Sequence, residues 1–228
     1  MLRRLYLILL QRFYVMKQKH KPCQGKVFMF HKVNEEDDLY AITPEHFREL
    51  LEDLIDKKKI VDIGTLIKEK DPDNVVITFD DAYESVYRNA YPLLKEKAVP
   101  YYLFICNEYL DQDAYLGSDM IKEMLRDSKA ILASHHYRHV LSRFLTDKEL
   151  KEELERSRKE LEERFNVKIK DFAFPYGSMY ACSKENIEVA CGIFDHVFMT
   201  YALPYHESYG NIIPRISINN DSYRKELS

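Results

Sequence analysis

The chain has 228 residues, a length that fits a single domain. Hydrophobic residues make up 46% of the sequence and aromatic residues 13%, which excludes an intrinsically disordered chain. The formal net charge of -4 argues against a general nucleic-acid-binding protein, so no nucleic-acid partner is expected. The four cysteines are widely spaced and form no CxxC pair, which favours reduced thiols over disulfides or a zinc knuckle.

Residues 1–25 are predicted to form a basic amphipathic segment ahead of one domain over residues 26–228. Residues 1–27 contain basic side chains and no acidic one. This pattern predicts a helix that either packs on the domain or lies on an anionic membrane surface. The apolar run Leu5–Leu10 is too short for the core of a secretory signal peptide. We therefore expect a cytoplasmic protein, with peripheral contact to the inner membrane through residues 1–21 as one alternative.

Short apolar runs alternate with longer amphipathic segments along the rest of the chain. The runs predicted as buried strands are Val27–Phe30, Val75–Phe79, Tyr101–Cys106, Ala130–Ser134, Phe172–Phe174, Val197–Thr200 and Ile212–Ile218. Helix start signals lie between them, such as the capping box of Thr146 and Glu149. The alternation predicts an α/β fold with a largely parallel sheet, arranged as a distorted or incomplete (β/α) barrel of about seven strands.

Groups capable of chemistry directly follow several of the predicted strands. In a barrel of parallel strands the carboxyl ends meet at one face, and active sites lie there. The groups in question are His31, the pair Asp80-Asp81, the run His135–His139 and the run Pro175–Gly177. Their common position predicts a single site.

The aspartate pair and the histidine run together have the composition of a metal site. Two adjacent aspartates alone are also typical of a turn or a helix cap. Buried Asp80 and Asp81 would repel each other unless a cation compensates one of them. His135 and His139 are four residues apart and can face the same ion. Two histidines and one carboxylate leave open positions for water and substrate, and the other carboxylate is free to act as a base.

Three motifs carry a family resemblance: Thr78-Phe79-Asp80-Asp81, Ser134–His139 and Phe174-Pro175-Tyr176-Gly177. In this order they resemble the polysaccharide deacetylases of the NodB-homology family of carbohydrate esterases. The resemblance spans roughly residues 26–218. It implies a NodB-like distorted (β/α) barrel and metal-dependent removal of N-acetyl groups from an acetylated glycan, in cell-envelope or capsule glycan synthesis.

The resemblance also implies roles for single residues. Asp80 would be the general base, and Asp81, His135 and His139 would hold one divalent transition metal. Zinc is the expected ion, and the same ligand set also suits iron, cobalt or nickel. The backbone N–H of Tyr176 would bind the oxyanion.

The sequence departs from the common family pattern before the Pro-Tyr-Gly motif. The usual arginine is absent there, since Ala173 stands in the stretch, and Arg215 is the candidate for orienting the base. The chain has no tryptophan and no histidine after His206, so the usual Asp/Trp and Leu-x-His motifs are missing. Ala82 replaces the usual glycine after the aspartate pair, which predicts an unstrained backbone at that position.

A subgroup of the family accounts for these departures. It includes deacetylases of poly-N-acetylglucosamine, carries alanine in place of that arginine, and places the acid histidine on the first strand. Phe28–Val33 resembles that first-strand pattern. The resemblance therefore assigns the general acid to His31, and a buried structural histidine is the alternative.

Two other functions remain open at this point. A small-molecule amidohydrolase could use similar ligands on a related barrel. A catalytically silent glycan-binding or assembly protein is favoured by the missing motifs and opposed by the intact aspartates and histidines. Aromatic side chains near the predicted site loops are candidates for stacking on a sugar ring: Tyr137, Tyr180, Tyr201 and Tyr205.

Overall fold

The computed structural model describes residues 2–18, 20–36 and 38–227. Met1 and Lys19 of the predicted N-terminal segment, and Asp37 and Ser228 of the predicted domain, lie outside the described residues. The strands are β1 Lys26–Phe30, β2 Lys32–Val33, β3 Ala41–Ile42, β4 Lys59–Ile60, β5 Asn74–Phe79, β6 Tyr101–Ile105, β7 Ala130–Ser134, β8 Asp171–Ala173, β9 His196–Met199, β10 Ile212–Pro214 and β11 Ile216–Ser217. The helices are α1 Leu2–Gln18, α2 Pro44–Lys57, α3 Ile63–Glu69, α4 Tyr91–Glu96, α5 Ser118–Asp127, α6 Asp147–Phe165 and α7 Lys184–Cys191, and a π-helical turn, Val86–Ala90, precedes α4.

The main sheet is parallel and nearly closed. Its strands follow the order β10-β9-β8-β7-β6-β5-β1-β11, and β4 pairs with the start of β5 beside this path. The two end strands are neighbours in the chain, separated only by Arg215. The backbone N–H of Arg215 donates to Met199 of β9 at 2.8 Å, and that of Ile218 donates to Met29 of β1 at 2.9 Å. The predicted incomplete barrel is confirmed, and its predicted last strand is split in two at Arg215.

The two faces of the sheet bury different sets of side chains, as the alternation along a strand requires. The outer face packs against α2, α4, α5, α6 and α7 through Phe28, Ile77 and Leu103. The barrel interior holds a second, smaller cluster that includes Val76, Phe104, Ala173, Phe198 and Ile213. Helix α3 joins this cluster and covers the amino ends of the strands, which leaves the carboxyl ends open to solvent.

Local signals in the sequence account for the helix boundaries. The Thr146–Glu149 capping box opens α6, and Asn166 in the left-handed region ends it. Leu150, Leu154 and Leu161 lie on the buried face of this helix. The remaining face is charged and exposed, as expected for a helix that packs on one side of a barrel.

Helix α1 packs on the barrel. The side-chain amide of Gln11 donates to the carbonyl of Thr200 at 3.1 Å and accepts from the N–H of Met179 at 3.0 Å. The rings of Tyr14 and Tyr201 meet edge to face at 5.6 Å. No helix in the described ranges is both long enough and apolar enough to span a bilayer.

Candidate active site

A cavity of about 460 Å³ opens at the carboxyl ends of the barrel strands. The residues predicted from the strand ends line it together: His31, Asp80, Asp81, His135, His139 and Tyr176. Met29, Thr200 and Ser217 complete the wall at the level of the sheet. Residues from distant parts of the chain therefore converge here because parallel strands end at one face of the barrel.

Asp81, His135 and His139 form a compact group of potential metal ligands. The Oδ1 atom of Asp81 lies 3.3 Å from Nε2 of His135 and 3.0 Å from Nε2 of His139. One ligand atom from each residue can be chosen so that all lie within 4.8 Å of one another. This separation leaves room for one ion at the centre.

Hydrogen bonding prepares this group for a cation. His135 is fully buried, and its Nδ1 atom lies 2.9 Å from the carbonyl oxygen of Ala173. If Nδ1–H donates to that carbonyl, Nε2 presents its lone pair toward Asp81. Oδ1 of Asp81 is buried and has no hydrogen-bond donor within the described part of the chain unless the imidazoles are protonated. A divalent metal therefore fits these residues.

The electrostatics of the group support the same conclusion. Burial raises the pKa of Asp81, but hydrogen bonds and charges from His135 and His139 lower it further than burial raises it. Burial lowers the pKa of His135, but Asp80 and Asp81 raise it by more. Without an ion, protonation of His135 is favoured because it supplies positive charge beside the two carboxylates. Metal uptake must then release protons, so it weakens as the pH falls.

Asp80 is held by Arg215 in the barrel interior. The guanidinium donates to both carboxylate oxygens, with Nη1–Oδ1 at 2.6 Å and Nη2–Oδ2 at 2.7 Å. Nη1 also reaches the hydroxyl of Thr78 at 3.3 Å, and the rings of Phe104 and Phe198 lie 5.1 and 5.9 Å from the guanidinium carbon. Burial raises the pKa of Asp80, but the charge of Arg215, the charge of His135 and the hydrogen bonds from Arg215 together lower it by more. Asp80 is therefore kept ionised beside the metal ligands.

His31 directly follows β1 and lines the cavity. Its Nδ1 atom is buried and has no hydrogen-bond partner among the described residues. The ring lies 5.1 Å from that of Tyr40. Burial lowers the pKa of His31, and the charges of Asp80 and Asp81 oppose this in part. When protonated, it is thus a stronger acid than an ordinary imidazolium and is free to give its proton to a ligand.

The Pro-Tyr-Gly loop is fixed by a close approach to the strand-end residue Thr200. Gly177 has a φ of 47°, and a Cβ at this position would lie 2.5 Å from the Thr200 hydroxyl. The Thr200 N–H donates to the Gly177 carbonyl at 2.7 Å. Tyr176, with a φ of 62°, meets the ring of His139 edge to face at 4.9 Å, and its own N–H donates to no group in the described part of the chain. This N–H is available to a ligand.

The backbone after β5 is strained, contrary to the expectation for Ala82. Asp81 and Ala82 have φ values of 65° and 60°, in the left-handed region that side chains disfavour by about 1 kcal/mol or more per residue. The Ala82 carbonyl accepts from the N–H of Leu116 at 2.7 Å, which helps to hold the turn. The turn aims Asp81 at the histidines, so the strain is found where the ligand geometry requires it.

The tyrosines predicted to lie near the site are not the ones that line the cavity. Tyr137, Tyr180, Tyr201 and Tyr205 do not line the cavity, whereas Tyr40, Tyr83, Tyr109 and Tyr176 do. Tyr137 lies under Arg156, and Tyr201 and Tyr205 are buried. Two of the missed residues had a usable signal, since Tyr83 and Tyr109 lie in the loops that follow the carboxyl ends of β5 and β6.

Comparison with known proteins identifies related sequences and folds. The sequence model of the family described as "Polysaccharide deacetylase" matches residues 67–193, a little over half of the chain. Poly-beta-1,6-N-acetyl-D-glucosamine N-deacetylase of Staphylococcus aureus is 29% identical over 168 residues, which cover 66% of this chain. The aligned part covers 56% of that relative, so the chain spans little more than half the length of the curated relatives it matches.

Solved structures share the fold at lower sequence identity. The structure of IcaB from Ammonifex degensii superposes with a TM-score of 0.81 at 23% identity, covering 90% of this chain and 96% of that one. The Streptococcus pyogenes deacetylase PplD, solved in complex with acetate, gives a TM-score of 0.78 at 17% identity and covers 89% of this chain and 97% of that one. The segment matched by the family model contains Asp80, Asp81 and both histidine ligands, whereas His31 and Arg215 lie outside it.

The contact between Gly177 and Thr200 can be tested with a pair of glycine variants. Gly177→Ala should destabilise the protein because the new methyl group overlaps Thr200 in addition to straining the backbone. Gly210→Ala is the matched control, since Gly210 also has a positive φ, of 60°, but a Cβ there meets nothing within 4 Å. Gly210 has a ψ of −126°, outside the left-handed helical region, so urea unfolding should show a loss of about 1–3 kcal/mol for the control and a larger loss for Gly177→Ala. Equal losses would show that the loop is not held against Thr200.

Proposed function

The chain belongs to the polysaccharide deacetylase family, and we propose that it is a metal-dependent carbohydrate N-deacetylase that uses zinc. One observation carries this proposal: a carboxylate held ionised by a buried arginine lies beside a complete set of metal ligands in an open cavity. The reaction needs a base and an electrophile at the carbonyl group and an acid at the leaving nitrogen. Asp80 would be the base, a metal on these ligands the electrophile, and His31, which lines the same cavity, the acid. Metal binding is also a general feature of the family.

A divalent metal bound by Asp81, His135 and His139 supplies a Lewis acid that polarises the acetamide carbonyl and acidifies water. Asp80 accepts the proton of the attacking water. Arg215 occupies both oxygens of Asp80 with hydrogen bonds, yet each carboxylate oxygen has a second lone pair for this proton. The pKa of Asp80 is lowered, so the base is present without first losing a proton.

Two further groups act on the tetrahedral intermediate and the leaving amine. The N–H of Tyr176, which donates to no group among the described residues, donates to the oxyanion. His31, which lines the same cavity, protonates the sugar nitrogen as the C–N bond breaks. The products are acetate and a free sugar amine.

We further infer that the substrate is an acetylated glycan used in cell-envelope or capsule synthesis. The cavity wall presents rings of Tyr40, Tyr83, Tyr109 and Tyr176, and aromatic rings pack well against the apolar faces of sugars. Tyr109 and Tyr115 stack at 4.5 Å and Tyr83 and Tyr115 at 5.0 Å, which forms a firm aromatic side. The Staphylococcus aureus relative is a poly-beta-1,6-N-acetyl-D-glucosamine N-deacetylase, which supports a poly-N-acetylglucosamine substrate.

Acetate release from N-acetylglucosamine oligomers tests the proposed function. Wild-type protein loaded with zinc should release acetate, and Asp80→Asn should lower the rate by about 10²–10⁴-fold because the base is removed. Asp80→Asn should keep its zinc, since Asp80 is not a ligand, whereas the matched variant Asp81→Asn should lose both zinc and activity. Elemental analysis of the same samples supplies the zinc content.

Three outcomes would contradict the proposal or its residue roles. Zinc-loaded protein that binds the oligomers without releasing acetate would be a silent glycan-binding protein. Protein that hydrolyses cyclic amides or imides but not the oligomers would be a small-molecule amidohydrolase. Loss of zinc from Asp80→Asn but not from Asp81→Asn would show that the two aspartate roles are reversed.

The pH dependence of activity tests the role of Arg215. Arg215→Met removes the charge that lowers the pKa of Asp80, while burial, which raises it, remains. Because Asp80 is active when ionised, the acid limb of the kcat/KM profile should move to higher pH by about 1–3 units. Arg215→Lys keeps a cation and should move the limb less.

A neutral change in the same network provides the control. Thr78→Val removes the hydroxyl that accepts from Arg215 but no charge, so it should leave the acid limb in place. An unmoved limb in folded Arg215→Met, judged by its thermal unfolding, would show that Asp80 is not the titrating base.

A further inference from the structure

Helix α1 carries an exposed apolar stripe on the face that points away from the barrel. The stripe consists of Tyr6, Leu9, Leu10, Phe13 and Met16, each between 38% and 61% exposed. Their spacing of three and four residues places them on one side of the helix. The opposite side docks on the barrel through Gln11, Tyr14 and Val15. The stripe is therefore not a consequence of a detached helix, because α1 is held in place while these side chains face solvent.

The charged residues within helix α1 are all basic. Arg12 and Lys17 are exposed, and the Lys17 ammonium lies 4.8 Å from the Phe13 ring centre. The sequence before Glu35 contains no acidic residue. An apolar stripe with basic residues alongside is the composition of a helix that lies in the plane of an anionic lipid surface. Long basic side chains can reach the headgroups while the apolar side chains enter the acyl boundary.

We propose that the apolar stripe of α1 docks the protein on an anionic lipid bilayer. A second copy of the chain fits the stripe less well, since a symmetric contact would bring Arg12 and Lys17 of one copy against those of the other. One helix face is also small beside the roughly 800 Å² per partner of a stable protein interface. An anionic bilayer satisfies both sets, because its acyl boundary accepts the apolar side chains and its headgroups attract the basic ones.

The docking face is linked to the candidate active site through the contacts of α1. Gln11 bridges the carbonyl of Thr200, which lines the cavity, and the N–H of Met179, which follows the Pro-Tyr-Gly loop. The helix is thus part of the same rigid body as the cavity wall. A docked α1 would hold the catalytic domain at the bilayer, where a lipid-attached or membrane-proximal glycan is concentrated.

Vesicle sedimentation of the full chain tests the proposal. The wild-type protein should sediment with vesicles of roughly three parts phosphatidylcholine to one part phosphatidylglycerol, less with pure phosphatidylcholine, and less again at high salt. The double variant Leu9→Glu/Phe13→Glu should bind at least about tenfold more weakly, because it removes apolar contact and adds like charge to the lipid. Leu39→Glu is the matched control: Leu39 is 74% exposed but does not lie on α1, and this variant should bind as the wild type does.

Folding and catalysis are read separately from docking. The double variant should keep the thermal unfolding temperature and the zinc content of the wild type, and it should release acetate from soluble oligomers at the same rate. Failure of the proposed deacetylase would remove that last readout and leave the vesicle result intact. Absence of wild-type sedimentation, or unchanged sedimentation of the double variant, would overturn the proposal. So would light scattering that shows a wild-type dimer lost in the double variant without any vesicle binding, since a second copy would then cover the stripe.

Discussion

The buried pair of Arg215 and Asp80 is the interaction on which both the barrel and the site depend. Arg215 lies between β10, which pairs with β9, and β11, which pairs with β1. Its backbone therefore helps to close the sheet. Its charged guanidinium is buried in the barrel interior, where an unpaired charge would strongly destabilise the fold. Removing one partner would leave the other unpaired at a cost of about 3–5 kcal/mol. The residue that completes the barrel is thereby bound to the residue proposed as the base.

The potential metal ligands lie at strand ends where the backbone is strained. Asp81 and Ala82 adopt left-handed backbone conformations, and so does His136 between the two histidine ligands. These conformations turn the side chains back toward the barrel axis at the point where the strands end. The Ala173 carbonyl then orients His135. Ala173 contributes to both parts of the site. Its carbonyl oxygen contacts His135, and its small side chain lies in the interior cluster with the rings that pack against Arg215.

The barrel and much of the site could be predicted because both follow from local patterns. Apolar runs marked the strands, and the polar residues after them marked the carboxyl face. The split at Arg215 could not be seen, since Ile212–Ile218 has the composition of one continuous strand. The strain at Ala82 was also missed, because alanine gives no local sign of a left-handed conformation. The cavity tyrosines were misassigned because nearness to a motif in sequence does not set the direction of a side chain. Tyr201 and Tyr205 follow a strand end yet are buried.

We propose that Asp81, His135 and His139 hold a metal while the neighbouring Asp80 stays bound to Arg215. A crystal structure of the zinc-loaded protein, with anomalous scattering recorded at the zinc edge, tests it most directly. We expect one anomalous peak about 2.0–2.2 Å from an oxygen of Asp81 and from Nε2 of each histidine, with Arg215 still bidentate on Asp80. A zinc ion bonded to Asp80, or an Arg215 guanidinium that no longer contacts Asp80, would contradict this assignment of the ligands.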